Sequence, residues 1–414
     1  MEEKNSEKKE RKMRDSGIPW IGEVPEGWEF SKIKYHCTMK SGDNITALDI
    51  SDNGEYPVYG GNGLRGFYKI YNKNGNHILI GRQGALAGNV HLVNGKFWAT
   101  DHAVVVTLKN DVFINYFFRM LESMNLNQYA FDTAAQPGLS VSRIMNLNIV
   151  LPNLEEQHRI ADFLDSKCSE IDTLIENLRA RVESAKEYKK AVITEAVTKG
   201  LDKDAKMKDS GVEWIGEIPE GWKVVRFKHI ASIKSNLVQP DKYMKYPQVA
   251  PDNIEKDTGR LLSHQIVEES GIISGNHLFY RGQILYSKIR PNLNKLTVAP
   301  FDGLCSADMY PIESKLPTLF MVYLMLSTYF VSQVSLIIQD RVKMPKINQE
   351  ELGEIKVVVP SQQDMLTIAD YLDSKCSEID ALLQNYEAQI TTLEKYKKSL
   401  IYEYVTGKKE VPTA

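Results

Sequence analysis

Cysteine is scarce and poorly placed for a scaffold. The four thiols, Cys37, Cys168, Cys305 and Cys376, form no Cys-x-x-Cys pair and meet no histidine pair at metal-ligand spacing. Zinc sites and disulfide frameworks therefore lack support, and reduced thiols are expected. Long hydrophobic runs are missing as well: Leu319 to Val331 carries polar interruptions and falls short of the roughly 18 to 20 residues a membrane helix needs. The first fourteen residues, MEEKNSEKKERKMR, have no apolar segment and read as a solvated tail and not as a signal peptide. A cytoplasmic protein with no membrane partner is the expectation.

Catalytic signatures are also missing. No Pro-Pro pair occurs, so the Asn-Pro-Pro-aromatic or Asp-Pro-Pro-aromatic tetrapeptide of amino methyltransferases is absent. There is no GxxxxGK[ST] phosphate loop, which removes the usual ATPase. A nuclease wants an acidic residue near a Glu-x-Lys, yet Glu354-Ile355-Lys356 lies far from any Pro-Asp. Histidines and cysteines form no recognisable triad. A binding subunit is expected in preference to an enzyme, with no catalytic residue, no metal site and no cofactor of its own.

What the chain does contain, it contains twice. MRDSGIPWIGEVPEGWEF begins at Met13 and MKDSGVEWIGEIPEGWKV at Met207; IADFLDSKCSEIDTLIEN begins at Ile160 and IADYLDSKCSEIDALLQN at Ile368. At 414 residues, with 43% hydrophobic and 25% charged residues, the chain suits two globular domains. Duplicated ends with unlike middles describe one frame holding two different working parts.

The downstream phrase predicts a long helix in each copy. Asn153 stands three residues before Glu156, and Ser361 three before Asp364, so each start carries an N-cap signal. A heptad follows, with Leu164, Ile171, Leu178, Ala185 and Val192 at d and Ala161, Cys168, Ile175, Val182, Lys189 and Ala196 at a. In the second copy d is Leu372, Ile379, Tyr386, Leu393 and Leu400, and a is Ala369, Cys376, Leu383, Ile390, Lys397 and Tyr404. Such seams predict antiparallel packing of the two helices, with cysteines acting as small hydrophobes and lysines setting register. Two separate helices that each bind a partner protein are the alternative. Trp20, Trp28, Trp214 and Trp222 sit in the turn-rich opening phrases, where their rings are expected to pin the segment against a domain or a helix end.

The overall charge of −3 conceals a segregation. Residues 30–150 hold eleven basic against eight acidic residues, and residues 223–359 seventeen against thirteen, whereas both helices are net acidic. Basic middles fit a polyanion. Both middles read as strand-rich with turn glycines, followed by helices near Phe113 to Met124 and Pro317 to Ile338. Their loops offer the residue types that read base edges: Asn62, Arg65, Arg82, Gln83, Asn89, Asp101 and His102 in the first, and Asn253, Lys288, Arg290, Asn292, Lys295 and Asp308 in the second.

IPWIGEVPEGW, LPNLEEQHRIADFLDSKCSEID and VTKGLDKDAKMKDSGVEWIGEIPEGW together resemble the specificity subunit of type I restriction-modification systems, over about Met13 to Lys408. The resemblance implies an α+β fold with a pseudo-twofold repeat. A charged disordered tail at 1–12 would precede target-recognition domain 1 at 13–151 and a spacer helix at 152–200. Recognition domain 2 with its linker would span 201–360, a second spacer helix 361–406, and a C-terminal tail 407–414. It also implies a non-catalytic, DNA-binding subunit whose domains each read half of a split, asymmetric target in double-stranded DNA, with two antiparallel helices fixing the gap. Methylation subunits would supply S-adenosylmethionine chemistry, and a restriction and translocation subunit would use ATP and magnesium. A free-standing DNA-binding regulator and a coiled-coil protein scaffold remain the rival readings.

Overall fold

The computed structural model describes residues 11–84, 87–109, 111–133 and 136–412, with backbone only for 130–137. The chain divides into two compact units, Met1–Leu178 with Gln389–Ala414, and Arg179–Ala388. The division falls within the long helices and not at their ends.

The long helices run Leu154–Lys199 and Gln362–Val405. Their starts follow the cap chemistry read from the sequence: Asn153 Oδ1 accepts from the Glu156 amide at 2.9 Å, and Ser361 Oγ from the Asp364 amide at 3.1 Å. Every a and d position named above is buried or half-buried. In the first unit Phe163 meets Tyr404, with ring centroids 4.6 Å apart, and Lys397 binds Asp172 at 2.7 Å. In the second, Lys189 binds Asp380 at 2.6 Å, while Lys199 and Asp364 line one cleft. Each unit therefore contains an antiparallel helix pair, and each core lysine answers a carboxylate on the facing helix.

The unlike middles share one topology. In the first unit a four-stranded antiparallel sheet runs in the order Cys37–Ser41, Ala103–Leu108, His77–Gly81, Val90–Val93. In the second the order is Ala231–Ile233, Met309–Ser314, Ile284–Ser287, Leu296–Val298. Each unit has a second sheet containing one parallel pair, Tyr56–Gly60 with Lys96–Ala99 and Pro247–Val249 with Gly303–Cys305. A two-stranded ribbon then brings the start of each middle back to its end, Glu29–Lys32 on Asn148–Leu151 and Lys223–Arg226 on Lys356–Val359.

The helix expected near Phe113 forms over Ile114–Ser123. The one expected from Pro317 to Ile338 is two helices, Thr318–Leu326 and Thr328–Ile338, bent by 58°. Ser327 takes an extended backbone between them, and its side chain accepts from the Phe330 amide at 3.3 Å, capping the second helix. Among the described residues no single helix is long and apolar enough to cross a membrane, and no group of three or more metal-ligating side chains comes together.

The opening phrases serve the helix starts. Trp28 is 2% exposed and donates its indole N–H to Glu156 Oε2 at 3.2 Å; Trp222 is 5% exposed and donates to Asp364 Oδ2 at 3.2 Å. The helix-start carboxylate thus accepts from an indole in both copies. Trp20 is half-buried, but Trp214 is 55% exposed with Lys356 Nζ 6.0 Å from its ring centroid, so this ring does not pin its segment as expected. Residues 1–10 of the expected tail lie outside the described residues. Arg11 and Lys12 belong to the folded unit: Arg11 pairs with Glu156 at 2.6 Å, and the Lys12 carbonyl accepts from the Glu26 amide. Gly407 in the C-terminal segment is equally engaged, since a Cβ on it would fall 2.6 Å from Pro25 and 3.0 Å from Trp28.

All four cysteines are free and buried. Burial pushes the Cys37 thiol up to about 12 and Cys376 to about 11, and raises Cys168 and Cys305. The folded chain therefore keeps protons that the unfolded chain releases above the ordinary thiol value of 9.0. This contribution is intact below pH 9 and fades as pH climbs through 11 and 12. Thermal midpoints followed by circular dichroism should hold to about pH 9 and then fall. Cys37→Ala should flatten that fall, and an unchanged alkaline slope would count against the buried thiol as its source.

Candidate functional site

Three segments meet at the same place in each unit. The first leaves the strand His77–Gly81 or Ile284–Ser287. The second precedes the strand Ala103–Leu108 or Met309–Ser314. Arg82 N donates to the His102 carbonyl at 2.9 Å, and Lys288 N to the Asp308 carbonyl at 3.0 Å, so Arg82 and Lys288 occupy equivalent positions, as do His102 and Asp308. The third segment closes on the first through a β-bridge, Gln83 to Gly138 and Ile289 to Lys346. Leu139 N donates to the Arg82 carbonyl at 2.9 Å, and Ile347 N to the Lys288 carbonyl at 3.0 Å.

In the first unit six of the seven predicted residues gather here. His102 Nδ1 lies 3.1 Å from Gln83 Oε1, and Asn89 donates to Asn62 Oδ1 at 3.1 Å. Asp101 and His102 are 44% and 47% exposed at their side chains. Arg82 donates to Ser41 Oγ at 3.2 Å, which fixes the guanidinium over the sheet edge. Residues 60–62 approach closely because Gly61 has no Cβ: one placed there would fall 3.2 Å from the His102 carbonyl oxygen. Arg65 lays its stem over Gly60, where a Cβ would fall 2.4 Å from Arg65 Cδ. It reaches the group from the side.

In the second unit the predicted set splits. Lys288, Arg290 and Asp308 share the three-segment cluster: Lys288 Nζ stands 5.1 Å from the Tyr310 ring centroid, and Arg290 N donates to the Pro345 carbonyl at 2.8 Å. Arg290 and Asn292 are exposed, the latter on the short 3-10 turn Pro291–Leu293. Asn253 and Lys295 do local structural work instead. Asn253 Oδ1 accepts from the Ala250 amide at 2.7 Å, and Lys295 Nζ donates to the Pro251 carbonyl at 2.8 Å. Both hold the same turn.

Sequence reasoning missed the third segment. In the second unit it brings Lys346, whose ammonium binds Asp308 at 2.8 Å, and Arg341, which binds Glu351 at 2.5 Å. The available signal was a Pro-x-apolar phrase recurring late in each middle, Pro137-Gly138-Leu139 and Pro345-Lys346-Ile347. Electrostatics at this cluster favour anions. Burial and then the nearby Lys288 cation hold His277 below the usual imidazole range, so the surface charge rests on lysine and arginine.

No carboxylate pair, nucleophile-base pair or phosphate cradle appears among these residues. What they can do chemically is donate and accept hydrogen bonds at the edge of a sheet.

Comparisons with known proteins agree with that reading. Residues 25–184 match the family model for the type I restriction modification DNA specificity domain. The type I restriction enzyme EcoDI specificity subunit of Escherichia coli is 33% identical over 275 residues, 62% of each chain. The EcoprrI specificity subunit of Escherichia coli is 44% identical over 153 residues, 36% of this chain and 37% of that one. The alignments thus span about three-fifths and about a third of the lengths of these two relatives. The MjaVIII specificity subunit of Methanocaldococcus jannaschii is 28% identical over 93% of both. A solved chain from work on complex assembly and conformational transition of the type I R-M system shares the fold at a TM-score of 0.68 and 14% identity, covering 93% of this chain and 99% of that one. Over residues 25–184 the chain is similar to the type I restriction modification DNA specificity domain, and its fold is that of the solved type I R-M chain.

Proposed function

We propose that this chain is the sequence-reading, non-catalytic subunit of a type I restriction-modification complex, each unit reading one half of a split target in double-stranded DNA. The observation that carries this is the pairing of one backbone site with two unlike sets of side chains: Arg82, Gln83 and His102 in the first unit stand where Lys288, Ile289 and Asp308 stand in the second. Donor and acceptor types decide which base edge is bound, so unlike sets select unlike half-sites and an asymmetric target. The residues Asn62, Arg65, Asn89 and Asp101 would add contacts in the first half-site, and Arg290 and Asn292 in the second.

The long helices would set the gap and dock methylation subunits. Those partners would bind S-adenosylmethionine, and a restriction and translocation subunit ATP and magnesium, so this chain needs no cofactor of its own. A subunit acting on genomic DNA would work in the cytoplasm. Purification under native conditions should bring a methyltransferase with it. Filter binding to genomic DNA should weaken steeply between about 50 and 200 mM salt, by orders of magnitude if several phosphates are held. Elution of the chain alone would favour a free-standing regulator, and salt-insensitive retention a protein scaffold.

A further inference from the structure

The third segment of the second unit carries two bare apolar side chains. Val342 is 95% exposed and Met344 53% exposed. Single exposed apolar residues are ordinary on protein surfaces. These two differ in being held out by a braced loop. On one side Arg341 binds Glu351 at 2.5 Å and also donates to the Lys346 carbonyl. On the other, Lys346 binds Asp308 at 2.8 Å, and the backbone bridges from Lys346 to Ile289. Met344 is fixed at φ +46°, a left-handed conformation disfavoured for any residue with a Cβ.

The surroundings say what covers this point. Lys288, Arg290, Lys343 and Lys346 stand on the same two segments, and among the described residues the side chains of Arg290 and Lys343 make no hydrogen bond or ion pair. Asp308 is already bound to Lys346. An apolar tip set in positive charge matches a surface that is anionic overall and apolar at points. The major groove of DNA is such a surface, because the C5-methyl of thymine projects there between phosphate walls.

We propose that Val342 and Met344 pack against a thymine methyl in the half-site read by the second unit, with Lys343 on a flanking phosphate. This rests on the DNA-reading function proposed above and names the base contact that function uses here.

The test uses the full chain with whatever methylation subunits copurify with it. The target is first read from the methylated positions of the host genome. Probes of that target are then made with thymine or with uracil, which lacks the methyl, throughout the second half-site. The unmodified protein should bind the uracil probe about fourfold more weakly, the equivalent of about 0.8 kcal/mol for one buried methyl. Val342→Ala with Met344→Ala should bind the thymine probe more weakly and no longer tell the two probes apart. Lys343→Ala should weaken both probes equally and lower the salt slope by about one.

Equal binding of both probes by the unmodified protein overturns the proposal, as does a second half-site without thymine. So does a double variant that sheds its copurifying subunits yet still discriminates uracil, since the tip would then be a protein contact. Failure of the unmodified protein to bind its thymine target at all would instead strike the DNA-reading function itself.

Discussion

Gly42→Ala is expected to destabilise the first unit by about 3 kcal/mol or more and, under the DNA-reading function proposed above, to abolish reading of its half-site. Gly42 follows the strand Cys37–Ser41, and its amide donates to the Ala103 carbonyl at 3.0 Å, while the next amide, Asp43, donates to Ala99 at 3.0 Å. A Cβ at position 42 would lie 2.1 Å from the Ala99 carbonyl oxygen and 2.6 Å from that of Thr100. Those atoms are backbone at the end of the strand Lys96–Ala99, with Ala99 and Thr100 both fully covered, so nothing flexible can yield. Relief requires moving the turn that carries Asp101 and His102. Urea denaturation should show the loss of stability, and sequencing of methylated bases should show the first half-site lost or relaxed. Gly27→Ala is the control, because nothing lies within 4 Å of its added methyl and the change should stay within about 0.5 kcal/mol. Equal midpoints for the two variants would show that the close approach at Gly42 is not tight in solution.

The helices and their partners were open to sequence reasoning for a physical reason. A 3.5-residue repeat sustained over five heptads, with a cap residue at each start, marks a long helix with one apolar seam. The seam from Ala161 to Ala196 is accordingly buried or half-buried at every named position. The unlike middles were harder. Their strands are two to six residues long, and the pairs that define the topology join segments distant in sequence, such as Trp98 with Val58 in parallel. No local pattern encodes that partnership.

The same distance hid the third segment of the site. Lys346 bridges Ile289 across two intervening helices of the chain, so nothing near either residue announces the contact. Asn253 and Lys295 stand apart from the cluster. Both have side chains suited to base edges, but each is engaged by a backbone group of the turn at residues 250–253. Residue type suggests a reader only where no nearby amide or carbonyl claims it first. The link between Trp28 and Glu156 was missed because the cap uses the Glu156 backbone amide and says nothing of its carboxylate, whose Oε1 pairs with Arg11 and whose Oε2 accepts from the indole.

The paired core lysines carry the second large prediction. Lys189 and Lys397 occupy the same place in the two helix copies, as do Asp172 and Asp380. Yet the two ion pairs sit in different surroundings. Lys189 and Asp380 have side chains 11% and 27% exposed, beneath a loop that brings Arg260 to 3.7 Å from the second aspartate oxygen. Lys397 and Asp172 are 21% and 52% exposed.

Removing a carboxylate from the drier pair leaves an ammonium with little water and no counter-charge, whereas removing it from the wetter pair leaves one that solvent can reach. Asp380→Ala should therefore cost about 3 kcal/mol, near the lower end of the range for buried pairs, and Asp172→Ala about 0.5 to 1 kcal/mol. Raising salt from 0.1 to 1 M should narrow the Asp172 difference, because exposed pairs are screened, and leave most of the Asp380 difference in place.

Replacing both members of the drier pair, Lys189→Met with Asp380→Leu, removes the buried charge along with its partner. That variant should recover most of the stability lost in Asp380→Ala, because the cost lies in an orphaned ion and not in the absence of a bond. Denaturation midpoints of the four proteins check this directly. A double variant no more stable than Asp380→Ala would mean that the ion pair itself holds the helices in register, as a lysine at a core position is able to do.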